Sequence, residues 1–196
     1  LITTPVLPSE LYVANALWFV DPARITYSVA DTALQVEHLW MGNDQKYIFV
    51  DGIASTHQED SIHVKLKDID LSAIMGLTPV PEFTLTAQGK ITGQATLYGI
   101  LSNLQLNANL HVADAGLNGS PIGDMDAWAK LDSEHKAVEI GGEVIDNGRH
   151  VADLNGLITP ADDKTWSLHI YPDSFNLGFL NHWTHSFLRD ITGRGS

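Results

Sequence analysis

The stretch Phe83–Val112 reads FTLTAQGKITGQATLYGILSNLQLNANLHV. From Phe83 to Gly99 its odd positions are Phe, Leu, Ala, Gly, Ile, Gly, Ala, Leu and Gly, and its even positions are Thr, Gln, Lys and Tyr. After a break at Ile100–Asn103 the apolar residues move to the even positions Leu104, Leu106, Ala108, Leu110 and Val112, with Gln105, Asn107, Asn109 and His111 between them. A period of two sends alternate side chains to opposite faces of a strand, so the stretch predicts a sheet with one apolar face. A helix would need apolar spacings of three and four, which are missing here. The polar face is rich in Thr, Gln and Asn and carries no evident reactive group.

Outward from this stretch the same pattern recurs. The segments Leu11–Val20, Arg24–Ala30, Leu34–Met41, Lys46–Ser55 and Ser61–Lys67 precede it. Ala127–Leu131, Ala137–Ile145, Arg149–Ile158 and Thr165–Tyr171 follow a Gly- and Asp-rich region, Asp114–Asp126, read as turns. Strands of this length between Asn, Asp and Gly predict an antiparallel meander. Asp70–Leu77 predicts a helical turn, stopped by Thr78-Pro79-Val80-Pro81. Ser174–Ile191 predicts a longer C-terminal helix, because Phe175, Phe179, Trp183, Phe187 and Ile191 recur every four residues and Asp173 or Ser174 can cap it.

The chain also matches itself. Asp51-Gly52-Ile53-Ala54-Ser55 corresponds to Asn155-Gly156-Leu157-Ile158-Thr159, and Leu34 and Val36 to Val138 and Ile140. Asn43-Asp44 answers to Asn147-Gly148, while Ile62, Val64 and Leu66 answer to Trp166, Leu168 and Ile170. The expected organisation is one continuous sheet of roughly two repeats, about 1–80 and 81–196. The opening at Leu1 and the end at Arg194-Gly195-Ser196 are read as those of a fragment of a longer protein.

A formal net charge of -13 argues against nucleic-acid binding and against adsorption to anionic lipid through the outer surface. The absence of cysteine removes disulfides and thiolate metal sites. Among nine histidines, His182 and His185 have a helical i, i+3 spacing, but no carboxylate on the adjacent turns completes a site. Asp124-Met125-Asp126 and Asp162-Asp163 lack the spaced ligands of a calcium loop and read as solvated turns. Glu37-His38 and Glu134-His135 are neighbours that do not make an acid–base pair. No nucleophile elbow, phosphate loop or dinucleotide fingerprint is present, so no enzyme activity, metal or cofactor is expected.

The run Ile91-Thr92-Gly93-Gln94-Ala95-Thr96-Leu97-Tyr98-Gly99, followed by Leu104-x-Leu106-x-x-x-Leu110, resembles modules of the TamB family and its AsmA-like relatives. The resemblance also takes in Asp70-Leu71 before this run, and Asn176-Leu177 before Ile191-Thr192-Gly193. It implies an all-β fold in which a long curved antiparallel sheet forms an open apolar trough, a β-taco. It further implies a periplasmic segment of an envelope protein anchored in the inner membrane of a Gram-negative bacterium. Such proteins work with an Omp85-type outer-membrane partner in assembling outer-membrane proteins, and relatives are implicated in carrying phospholipid. That partner would be met through regions outside this chain. The expected trough lining is Phe83, Leu85, Leu97, Leu104, Leu106, Leu110, Val112, Ile62, Val64, Leu66, Trp166, Leu168 and Ile170, against lipid acyl chains or nascent outer-membrane strands. A closed β-sandwich or barrel acting as a surface-binding module stands as the alternative.

Overall fold

A computed structural model describes residues 1–13, 16–75, 86–117, 119–132, 137–159, 165–173, 175–176 and 194–195. Among them the chain is almost wholly strand. In order these are β1 (Ile2–Val6), β2 (Ser9–Val13), β3 (Ala16–Val20), β4 (Ala23–Ser28), β5 (Ala33–Gly42), β6 (Tyr47–Ala54) and β7 (Ser61–Asp70). A short helix, α1 (Leu71–Met75), leads toward β8 (Ala87–Tyr98), β9 (Gln105–Leu117), β10 (Ser120–Asp132), β11 (Ala137–Asp146), β12 (Arg149–Thr159) and β13 (Thr165–Pro172). Two-residue strands β14 (Phe175–Asn176) and β15 (Arg194–Gly195) pair with each other.

β1 to β13 form one antiparallel sheet in which every strand from β4 to β13 pairs with its sequence neighbour. The sheet is open and does not close into a barrel, which overturns the closed sandwich or barrel. At its N-terminal end two strands are broken at the same level. β1 pairs with β4 and β2 with β3, so that Leu7-Pro8 lies opposite Asp21-Pro22, and both β3 and β4 pair with β5. Proline cannot donate to a ladder, and here two prolines interrupt the outermost rungs of the sheet.

Four expectations meet the structure differently. Leu11–Val20 is not one strand, because β2 and β3 pair as two arms, Val13 opposite Ala16. Asp114–Asp126 is turn only at the link between Leu117, where β9 ends, and Ser120, where β10 starts; Asp124-Met125-Asp126 lies within a strand. Phe175–Asn176 is strand rather than helix; the rest of the expected Ser174–Ile191 helix lies outside the described residues. The helical turn expected at Asp70–Leu77 starts one residue later, at Leu71, because Asp70 still pairs with Lys90.

The matched segments share a register. Leu34 pairs with Ala54 and Val36 with Gly52, just as Val138 pairs with Ile158 and Ile140 with Gly156. The third strands differ by two residues, Gly52 facing Ile62 but Gly156 facing Leu168.

Candidate apolar furrow

Register gathers the apolar positions of successive strands into rows that cross the sheet at right angles to the strands. One row runs Leu39–Val50–Val64–Ala95–Ala108–Ala129–Ile140–Gly156–Leu168. The next runs Met41–Ile48–Leu66–Gly93–Leu110–Ala127–Gly142–Leu154–Ile170. Larger residues flank them. Val36–Gly52–Ile62–Leu97–Leu106 lies on one side, and Ile69–Ile91–Val112–Met125–Val144–Ala152 on the other. Nine strands, β5 to β13, carry the two middle rows. At ~4.8 Å per strand that is a span of about 38 Å.

The outer rows are raised at two places. Leu71 of α1 packs with Leu66, Leu110 and Met125 against the buried cluster Ile91, Val112 and Ala115. Ile100, in the loop between β8 and β9, packs against Val36, Ala54 and Ile62. That loop is tied down by backbone bonds from Leu101 N–H to the Ser55 carbonyl (3.2 Å) and from Gly99 N–H to the Asp60 carbonyl (3.4 Å). Ser55, only 1% exposed, holds the turn below it by donating to Asp60 Oδ2 and accepting from His57 N–H. Between these ridges the floor contains Ala95, Ala108, Ala129, Gly93, Ala127 and Gly142. Small residues between branched ones make a furrow.

Of the residues expected to line it, Ile62, Val64, Leu66, Leu97, Leu106, Leu110 and Val112 share this face. Ile62 and Val112 are buried and the others half-buried. Ile170 occupies the furrow row on the edge strand and is 53% exposed. Trp166 and Leu168 hold the register positions opposite Ile158 and Gly156. Leu104 precedes β9 and is 37% exposed. Phe83 and Leu85 lie outside the described residues, as do His182, His185, Asp162-Asp163 and Glu134-His135.

A second set of residues keeps the furrow apolar. His38, Asp68 and Asp114 all have positive φ (48–55° is the range of such residues here, with these at 55°, 49° and 52°) and sit in β-bulges. In each strand the apolar parity would otherwise place the polar residue on the furrow face, after Val36, Leu66 and Val112. One extra residue ejects it and brings Leu39, Ile69 or Ala115 into register instead. Each ejected residue's N–H is then accepted by a polar-face side chain of the next strand: His38 by Asp51 Oδ1 (2.9 Å), Asp68 by Thr92 Oγ1 (3.1 Å) and Asp114 by Asp124 Oδ1 (3.0 Å). Gly89, opposite the Asp114 bulge, has φ 132°, and a Cβ there would lie 2.7 Å from Val112 Cγ1. The sequence signal for these bulges is a spacing of three within an alternating run.

On the opposite face His111 Nδ1 lies 2.7 Å from Asp126 Oδ1. Just before β6, Lys46 Nζ lies 2.9 Å from Asp70 Oδ2 and 5.9 Å from the centroid of the Trp18 ring. His150 bridges Asp153 (Nε2, 3.0 Å) and Asp173 (Nδ1, 3.0 Å); the hydrogen bond to Asp153, then that to Asp173, raises its pKa above the ordinary 6.5. Among the described residues no cluster of three or more His, Cys, Asp or Glu could hold a metal ion. Among the same residues no helix is long and apolar enough to cross a membrane. Comparison of the chain with protein-family models, with curated proteins and with solved structures finds no match.

Proposed function

We propose that the furrow is a path for apolar cargo, shielding acyl chains or nascent apolar strands from water within a periplasmic, TamB-like envelope protein. The observation that carries this reading is the continuity of the apolar rows across nine strands of a sheet that stays open. Each methylene taken from water is worth about 0.8 kcal/mol, so an acyl chain gains from a long apolar strip without any specific polar contact. Ala and Gly on the floor leave room for the chain, and branched residues on both sides keep it from leaving sideways. No polar side chain interrupts the floor, so nothing there would arrest a sliding cargo. The acidic surface, at a net charge of -13, disfavours adsorption to anionic bilayers. The reading assigns the chain no catalysis. Placement in the periplasm, the inner-membrane anchor and the Omp85-type partner come with the family resemblance and form part of the same proposal.

The test is photo-crosslinking in cells from Leu110 and Leu154, with Gln94 and Asn109 of the other face as controls. Lipid or outer-membrane-protein adducts are expected from the furrow positions alone, and Leu110→Asp should stay folded while losing them. A stably folded protein that gives no adduct at any furrow position sinks the proposal.

A further inference from the structure

We infer that the opposite, polar face is a binding groove for a neutral glycan strand. It does not rest on the furrow, from which it is separated by the thickness of the sheet. A shallow concavity of about 1150 Å³ crosses the polar face from Tyr47 to Tyr171, and Gln94, Asn109 and Asn155 line it beside Trp128.

Trp128 is the organising residue. It faces Asn109 on one neighbouring strand and Gly141 on the other. The indole occupies the place that a side chain at position 141 would take: a Cβ there would lie 2.5 Å from Cε2 and 2.8 Å from Nε1. Only glycine lets the ring lie against the β11 backbone. Trp128 remains 36% exposed, with Lys130 Nζ 5.4 Å from the ring centroid. A second ring surface stands at the far end, where Tyr171, 56% exposed, stacks on His169 at 6.4 Å and 26°. Flat rings flanked by side-chain amides suit pyranose units, which present C–H surfaces to the rings and hydroxyls to the amides.

Charge and backbone chemistry choose among polymers. Lys65 in the lining and Lys130 beside the Trp128 ring stand against Asp126, Glu143 and Asp153, so the balance is acidic and a polyanion is disfavoured. A peptide strand gains its affinity from free main-chain groups at a sheet edge. Here the ligand would lie across β6 to β13, and all of these but the edge strand β13 have backbones committed to neighbours on both sides. Side chains alone face the ligand, which favours a polyhydroxyl chain over a polypeptide.

The experiment titrates the ¹⁵N-labelled chain with cellohexaose, mannohexaose and chitohexaose, following the Trp128 indole N–H signal. A saturable shift is expected with at least one of them, half-complete below about 1 mM. Trp128→Ala should weaken it tenfold or more. Asn155→Ala, which leaves the ring and its glycine seat in place, should weaken it severalfold at an unchanged melting temperature. Leu106→Asp, on the other face and outside the groove's lining, should leave it unchanged. The inference is overturned if none of the three saturates, if Asn155→Ala and Trp128→Ala bind as the parent does, or if an unstructured neutral peptide saturates the site while the sugars do not.

Discussion

The backbone N–H of Asp114 donates to Asp124 Oδ1 at 3.0 Å, joining a residue with φ 52° on β9 to a carboxylate on β10. Asp124→Ala removes the acceptor and should lower stability by about 1 kcal/mol, the usual net worth of such a bond at an exposed site. Asp114→Gly should be neutral or stabilising, because the left-handed conformation costs an L-residue about 1 kcal/mol and glycine nothing. Asp114→Val should lose more than Asp124→Ala. Urea midpoints at constant m-value give the order.

Filling the furrow separates an open surface from a sealed core. Ala95 and Ala127 are half-buried on the floor. Ala95→Leu with Ala127→Leu should change stability by less than about 1 kcal/mol, where overpacking a closed interior costs about 1–3 kcal/mol. Lipid crosslinking from Leu154 should nonetheless fall, since the path is blocked upstream. Chemical denaturation and crosslinking on one preparation read both quantities.

His150 makes the β12–β13 end sensitive to pH. Its folded pKa is raised by the hydrogen bond to Asp153 and then by that to Asp173, so its contribution is fully present below pH 6.5 and disappears as pH rises through the raised value. The protection factor of the Asp173 amide, bonded to the Val151 carbonyl at 2.9 Å, should fall over that range once the intrinsic base-catalysed rate is divided out. His150→Gln should abolish the dependence. Amide exchange followed across the titration of the imidazole tests it.

Trp18 is 8% exposed, and its Nε1 finds no hydrogen-bond partner among the described residues. Trp18→Phe removes that unpaired donor together with some apolar area, so the two effects offset and the cost should stay below about 1 kcal/mol. Trp18→Ala should cost about 3–5 kcal/mol. Thermal unfolding of the two variants side by side distinguishes them.

Much of the architecture was legible because a period of two is a one-dimensional signal. Ile91, Gly93, Ala95 and Leu97 declare their face with no knowledge of their neighbours. The break at Ile100–Asn103 was equally readable as the change of parity between β8 and β9. Strand continuity through Asp114–Asp126 was hidden, since Asp114 and Gly123 carry turn chemistry yet are used inside strands as bulges. The hairpin between β2 and β3 was hidden too, because the lone Asn15 is the one turn-forming residue in the otherwise apolar run Leu11–Val20. Of the furrow, the wall residues were legible as apolar alternation. The floor of Ala and Gly was not, because it exists only once register sets Ala95, Ala108 and Ala129 side by side. The ring surface at Trp128 likewise needs Gly141 from another strand.

The bulges at His38, Asp68 and Asp114 give the strands something like a reading frame. Deleting the extra residue at any one of the three leaves a regular strand with Leu39, Ile69 or Ala115 still facing the furrow. A single-residue deletion or insertion in an unbulged stretch such as Gly93–Leu97 instead turns the remainder of the strand over, unless a new bulge absorbs it. Length change in the unbulged stretches should therefore be accepted in steps of two, while the bulges and the loops can vary by one residue.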